Sequence, residues 1–334
     1  MGMLVKGVWQ DIAYESKNGE FVRNDSVFRD WVTADGSTGF RAQAERYHLY
    51  VSLACPWAHR TLILRALKGL EDAITVSIVD PHMGAGGWRF TGRRGCTNDG
   101  VNGAAFLREV YLKAKSDYTG RVTVPVLWDR NTGTIVSNES ADIMRMLNSE
   151  FNAFALRELN DLYPQALRPQ IERWNAIIYR TVNNGVYRAG FAATQDKYEA
   201  AAHELFATLD TLDEHLGKHR YLCGSVPTEA DWRLFTTLVR FDAVYYGHFK
   251  CNLRRLVDYD SLFAYTRELY QFPGVAETVD LAQIKEHYYR SHPRINPTGL
   301  VPAGPTLDFA APHGREYLKS EQPGEPDRPH RVVS

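Results

Sequence analysis

Leu53-Ala54-Cys55-Pro56 joins a strand-like stretch, residues 47–52, to a helical run that reaches about Gly69. Proline is favoured at the first position of a helix, so Cys55 falls at or near the N-cap. There the unpaired backbone N–H groups and the positive end of the helix dipole favour an anion. A cysteine in that place is expected to have a lowered pKa and to act as a thiolate nucleophile, the alternative being a small buried core residue. A dithiol redox site would carry a second cysteine at position 58, where this chain has Ala58. A mixed disulfide formed on Cys55 must then be released by a thiol from outside. His59 is read as structural rather than as a base.

Two more stretches could complete a site. Val124-Pro125 opens a strand with a proline, which leaves the preceding carbonyl and amide free to pair with an extended peptide; the plain alternative is an edge-strand proline. Glu139-Ser140 stands at a helix start, where a hydroxyl and backbone amides can hold a carboxylate and Glu139 can pair with an ammonium; the alternative is an ordinary helix cap. Together the three suggest a site for a short zwitterionic peptide with its sulfur at Cys55. Glutathione fits, because its γ-glutamyl end carries both an ammonium and a carboxylate.

The elements that would position these groups run in the order β-α-β-excursion-β-β-α. The strands are residues 47–52, 73–79, 124–129 and 134–137, with helices after Cys55 and over Glu139–Asn148. That is the order of a thioredoxin-like domain, an α/β layer architecture, and its central proline is expected to be cis. The glycine-rich residues 80–120 read as a long excursion with one amphipathic helix near 103–115. After about residue 155 the pattern becomes helix only: Arg168–Asn184, Gln195–Gly217, Thr228–Tyr246, Asp260–Tyr270 and Val275–Tyr289 are long and amphipathic. Thr228 is expected to cap its helix with Asp231 in the first turn, a structural role. The division is an extension over 1–45, a thioredoxin-like glutathione-binding domain over 46–150, a helical domain over 155–290 and a proline-rich tail over 291–334. The tail is expected to wrap the surface, with Glu321–Pro329 polar and mobile.

Lys and Arg number 39 against 40 Asp and Glu, so the chain has no basic excess for nucleic acid or for an anionic membrane surface. It has no apolar run of about 18 residues and no signal-like N-terminus, so neither a membrane span nor secretion is expected. The four cysteines, Cys55, Cys96, Cys223 and Cys251, are far apart, which suggests reduced thiols in the cytoplasm and no zinc knuckle. No metal is expected.

Taken together, Leu53-Ala54-Cys55-Pro56-Trp57-Ala58-His59-Arg60, Gly87-Trp88, Arg121 to Trp128, Ser137-Asn138-Glu139-Ser140, Asn183-Asn184-Gly185-Val186-Tyr187 and Asn296-Pro297-Thr298-Gly299 resemble the glutathionyl-hydroquinone reductases, the xi class of glutathione transferases. The resemblance runs from Gly7-Val8-Trp9 to about Pro302 in the same order, with no departure at the motif positions. Residues 84–100 look more individual, so substrate preference could differ.

The resemblance implies the roles. Cys55 would be the nucleophile, and Trp88, Arg121, Val122, Thr123, Val124, Pro125, Glu139 and Ser140 would hold glutathione. Tyr187 would be the proton donor or acceptor at the quinol. Tyr245 and Tyr288 would hydrogen-bond near Cys55 and favour its thiolate. The partners implied are glutathione as co-substrate and glutathionyl-hydroquinones, in a homodimer. The runner-up is an omega-like transferase acting on disulfides or dehydroascorbate through the same Cys55, separated from the first by the tyrosine set. A third reading is a non-catalytic ligand-binding protein on the same fold.

Overall fold

The computed structural model describes residues 2–12 and 16–318. The expectation for Glu321–Pro329 lies outside them.

A four-stranded sheet carries the first half: β1 (Tyr47–Val51), β2 (Ile74–Ile78), β3 (Val126–Asp129) and β4 (Thr134–Ser137), in the order β4-β3-β1-β2. β1 and β2 are parallel, with Tyr47 opposite Ile74; β3 is antiparallel to both its neighbours, with Val126 opposite Tyr50 and Leu127 opposite Ser137. Every residue of β1 and β3 is buried, as expected of central strands covered on both faces. α1 (Pro56–Leu67) connects β1 to β2, α2 (Leu107–Ala114) lies in the excursion, and α3 (Ser140–Ser149) follows β4 and packs against α1. This is a thioredoxin-like fold, followed by helices.

The N-terminal residues are built into the body. Met3–Val5 pairs with Val8–Gln10 and with Gly120–Arg121. Further on, Asp30 N donates to Val136 O and Arg29 bridges Ser137, which covers the outer edge of β4 against strand addition from another chain.

The second half is α4 (Arg168–Ile178), α5 (Gly185–Gly190), α6 (Gln195–Lys218), α7 (Glu229–Leu238), α8 (Asp260–Tyr270) and α9 (Leu281–Ser291). Two helices expected to be continuous are interrupted. A π turn over Tyr179–Asn183 separates α4 from α5, and another over Phe241–Tyr245 follows α7. Such turns insert a residue and swing the side chains after them, and they recur at functional sites. The last helix begins later than expected because Asp280 caps it by accepting from Gln283 N at 2.9 Å.

α7 starts as expected. Asp231 accepts from Thr228 N and Oγ1, from Leu222 N and from Tyr265 Oη, all within 2.9 Å, so it is a structural hub. Thr228→Ala removes one side of this cap and is expected to cost about 1 kcal/mol. A lower urea midpoint with an unchanged slope would register it.

The described part of the tail does wrap the surface. Buried Phe309 packs on Phe263 and Tyr270, and Arg315, also buried, pairs with Glu268 at 2.9 Å. Among the described residues no helix is long and apolar enough to cross a membrane.

Candidate active site

Cys55 is the N-cap of α1, with extended backbone angles, and Pro56 opens the helix. The thiol is partly exposed and donates to Val124 O at 3.6 Å, and the Val124–Pro125 bond is cis. The loop before the thiol is held by Arg240, which donates to Leu53 O and Ala54 O. His59 is fully buried: its Nδ1 faces Arg240 Nη1 at 2.9 Å, its Nε2 faces Thr278 Oγ1 at 2.8 Å, and burial pushes its pKa well below the usual value. It is neutral and occupied on both nitrogens, so it offers no base to Cys55.

The expected lowering of the thiol pKa needs a correction. Burial is the largest influence and raises it; the backbone amides of Ala58 and Trp57, then the guanidinium groups of Arg240 and Arg23, pull against it. The helix start alone therefore does not make the thiolate. Neither Tyr245 nor Tyr288 hydrogen-bonds the sulfur. Their hydroxyls meet each other at 3.0 Å, and Tyr288 meets Tyr187 at 2.5 Å, giving a chain Tyr187–Tyr288–Tyr245. Burial raises all three phenols, so they are protonated at neutral pH.

Two clefts adjoin at Arg23, Trp57, Arg121, Thr123 and Val124, and Cys55 lines the smaller. One, of about 320 Å³, is lined by Arg121, Thr123, Val124, Pro125, Glu139 and Ser140. Here Glu139 is itself the cap of α3: its Oε1 accepts from Ala141 N at 3.1 Å and its Oε2 from Ser26 Oγ at 3.0 Å. Ser140 is buried, and its hydroxyl accepts from Arg60 Nη1 at 3.3 Å. The Arg121 guanidinium reaches Ile12 O.

The other cleft is narrower, about 80 Å³, and largely aromatic; among its lining residues are Cys55, Trp88, Val122, Tyr187, His287 and Tyr288. Trp88 therefore stands apart from Glu139 and Ser140, stacked on His287 with ring centroids 4.9 Å apart. The glycine-rich excursion brings it there. Gly87 has φ +80°, and a side chain on it would meet the Trp9 ring at 2.8 Å, so the turn before Trp88 needs glycine. Tyr245 lies behind Tyr288, outside the lining.

Sequence reasoning missed several residues of this site. Arg23, from the N-terminal segment, lies over the Trp57 and Tyr187 rings at 4.8 and 5.1 Å and donates to Asn184 Oδ1. Arg60, fully buried, lies over Trp57 and joins Ser140 to Asn183. Asn183 donates in turn to Arg233 O and Thr237 Oγ1, which ties α1 to α7 and accounts for the first asparagine of the Asn-Asn-Gly-Val-Tyr stretch. His287 donates from Nδ1 to Pro81 O at 2.7 Å, and its pKa is pushed down to about 4 by burial. Among the described residues no group of three His, Cys, Asp or Glu side chains could hold a metal ion.

A thioredoxin-like half presenting one thiol beside a cis-proline, closed by a helical half, defines a glutathione transferase. Family models agree: glutathione S-transferase, N-terminal domain, matches residues 54–150, and glutathione S-transferase, C-terminal domain, matches 195–268. The chain is 53% identical to glutathionyl-hydroquinone reductase YqjG of Escherichia coli, over 95% of this chain and 99% of that protein. A xi class transferase from Natrialba magadii superposes with a TM-score of 0.90 at 51% identity, covering 95% of this chain and 97% of that one. The glutathione-bound structure of YqjG superposes with a TM-score of 0.88 at 51% identity, covering 94% and 99%. The chain belongs to the glutathionyl-hydroquinone reductases, the xi class of the glutathione transferase family.

Proposed function

We propose that this enzyme reduces glutathionyl-hydroquinones to hydroquinones at the expense of glutathione, in the cytoplasm and as a homodimer. The observation that carries the reading is that a cleft with Glu139 and Ser140 adjoins, through Arg121, Thr123 and Val124, an aromatic cleft that holds both Cys55 and Tyr187. The first is suited to the peptide, with its ammonium toward Glu139 and a carboxylate toward the start of α3. The second is suited to a flat ring. The Cys55 thiolate attacks the sulfur of the conjugate. The carbon–sulfur bond breaks, its electron pair stays with the ring, and Tyr187 protonates the ring carbon. Cys55 is left in a disulfide with glutathione. A second glutathione thiolate attacks that disulfide, giving oxidised glutathione and restoring Cys55. Tyr288 and Tyr245 stand behind Tyr187, where they can replace its proton.

The test is turnover of glutathionyl-menadiol beside dehydroascorbate. Preference for the conjugate is expected; equal or better turnover of dehydroascorbate would favour the omega-like reading. With Ala58 in place of a resolving cysteine, limiting the supply of glutathione should leave one glutathione on Cys55 in intact-mass and peptide spectra. An internal disulfide to Cys96 would contradict this.

A further inference from the structure

Arg240 follows α7 and is fully buried. All its described partners are neutral: Nε donates to Ala54 O at 2.9 Å, Nη2 to Leu53 O at 3.0 Å, and Nη1 to Thr236 O at 2.7 Å and to His59 Nδ1 at 2.9 Å. Arg315, also buried, faces Glu268 at 2.9 Å, whereas Arg60, buried on α1, has neutral partners as Arg240 does, the Ser140 hydroxyl and the Asn183 amide oxygen. Arg240 forms no ion pair among the described residues. A guanidinium keeps its proton in the interior, and a buried charge without a counter-charge is costly.

We propose that the counter-charge is the Cys55 thiolate, and that Arg240 is a positioning residue: it fixes the Leu53–Ala54 loop and supplies the buried positive charge that favours the ionised nucleophile. The carbonyls of Leu53 and Ala54 would otherwise be free to turn their negative ends toward the sulfur; Arg240 engages both. Facing Cys55 besides Arg240 are Arg23 from the N-terminal segment, Arg60 on α1, the amides of Trp57 and Ala58, and the phenols of Tyr187 and Tyr245. His59 and His287 are neutral there. None of these groups is a carboxylate. Arg240 thus links the helical half to the thiol's reactivity. The proposal deepens the reading of Cys55 as nucleophile and rests on it.

The experiment follows the rate of iodoacetamide alkylation at Cys55 against pH, read on the Cys55 peptide by mass spectrometry, with circular dichroism as the check of folding. In Arg240→Gln the midpoint is expected to move up by roughly 1–3 pH units, the range for an opposite charge close to an ionising group. In Arg240→Lys, which keeps the charge, it should stay near that of the parent. Arg240→Met fills the same space without charge and replaces the Gln variant if that one does not fold. An unmoved midpoint in a folded neutral variant, or an equal rise in Arg240→Lys, overturns the proposal. If neither neutral variant folds, the Lys variant decides by the same criterion. The readout needs no quinone, so a failed hydroquinone assay of the parent enzyme would count against the proposed function and leave this titration standing.

Discussion

Cys55→Ala should reduce turnover of a glutathionyl-hydroquinone to the uncatalysed background while the protein stays folded. The loss is expected to be total, because the sulfur forms and breaks the bonds on which both half-reactions depend. No other thiol can substitute. Cys223 and Cys251 are buried, and burial pushes both thiols up, to about 12 for Cys223. Cys96 is tied into the excursion, outside both clefts, and burial raises it as well. The structural cost is small, since the Cys55 thiol donates only one long hydrogen bond and is partly exposed, and alanine keeps the backbone bonds; a change within about 1 kcal/mol is expected. Steady-state rates beside a thermal melt separate the two effects. Substantial residual turnover in a folded variant would remove Cys55 from the mechanism.

Tyr187→Phe should lower the turnover number by about 10²–10⁴, the usual contribution of a general acid. The ring of Tyr187 packs among Phe21, Phe191, Phe249 and Tyr245, and phenylalanine keeps those contacts. Only the hydroxyl is lost, and with it the 2.5 Å bond to Tyr288. Glutathione affinity should be nearly unchanged, because Glu139 and Ser140 line the other cleft. Direct glutathione binding beside single-turnover release of the quinol distinguishes the outcomes. An unchanged turnover number would make Tyr187 a packing residue and the omega-like reading the better one.

What could be read in advance was local. Strand-Cys-Pro-helix follows from backbone rules within a few residues, and so does the cap at Thr228; the strand expected to be buried, residues 73–79, is only partly so, because β2 lies at the edge of the sheet. What could not be read depends on contacts between distant parts of the chain. Arg240 finds its carbonyls 186 and 187 residues away, and Arg23 finds Asn184 at a separation of 161. Nothing beside Arg240 in the sequence marks it as different from any other arginine late in an amphipathic helix. The π turns were hidden for another reason: the helical period of apolar residues continues through them, so the inserted residue leaves no gap in the pattern. Glu139 and Ser140 are legible as a helix start, yet the division of labour between them, the cap to the carboxylate and the Arg60 bond to the hydroxyl, is set by the tertiary fold.

The distances along the chain that conceal the site also set when it can exist. Synthesis proceeds from the N-terminus at about 5–20 residues per second, so Cys55 leaves the ribosome well before Arg240, and more than two hundred residues before Tyr288. Arg23, made earlier still, has neither Tyr187 nor Asn184 to lie against during that interval. For some tens of seconds each nascent chain therefore carries the cysteine without its buried guanidinium or its phenols. The complete constellation of thiol, guanidinium groups and phenols exists only after Tyr288 has been made, so the site is assembled by the last third of the polypeptide although its sulfur belongs to the first.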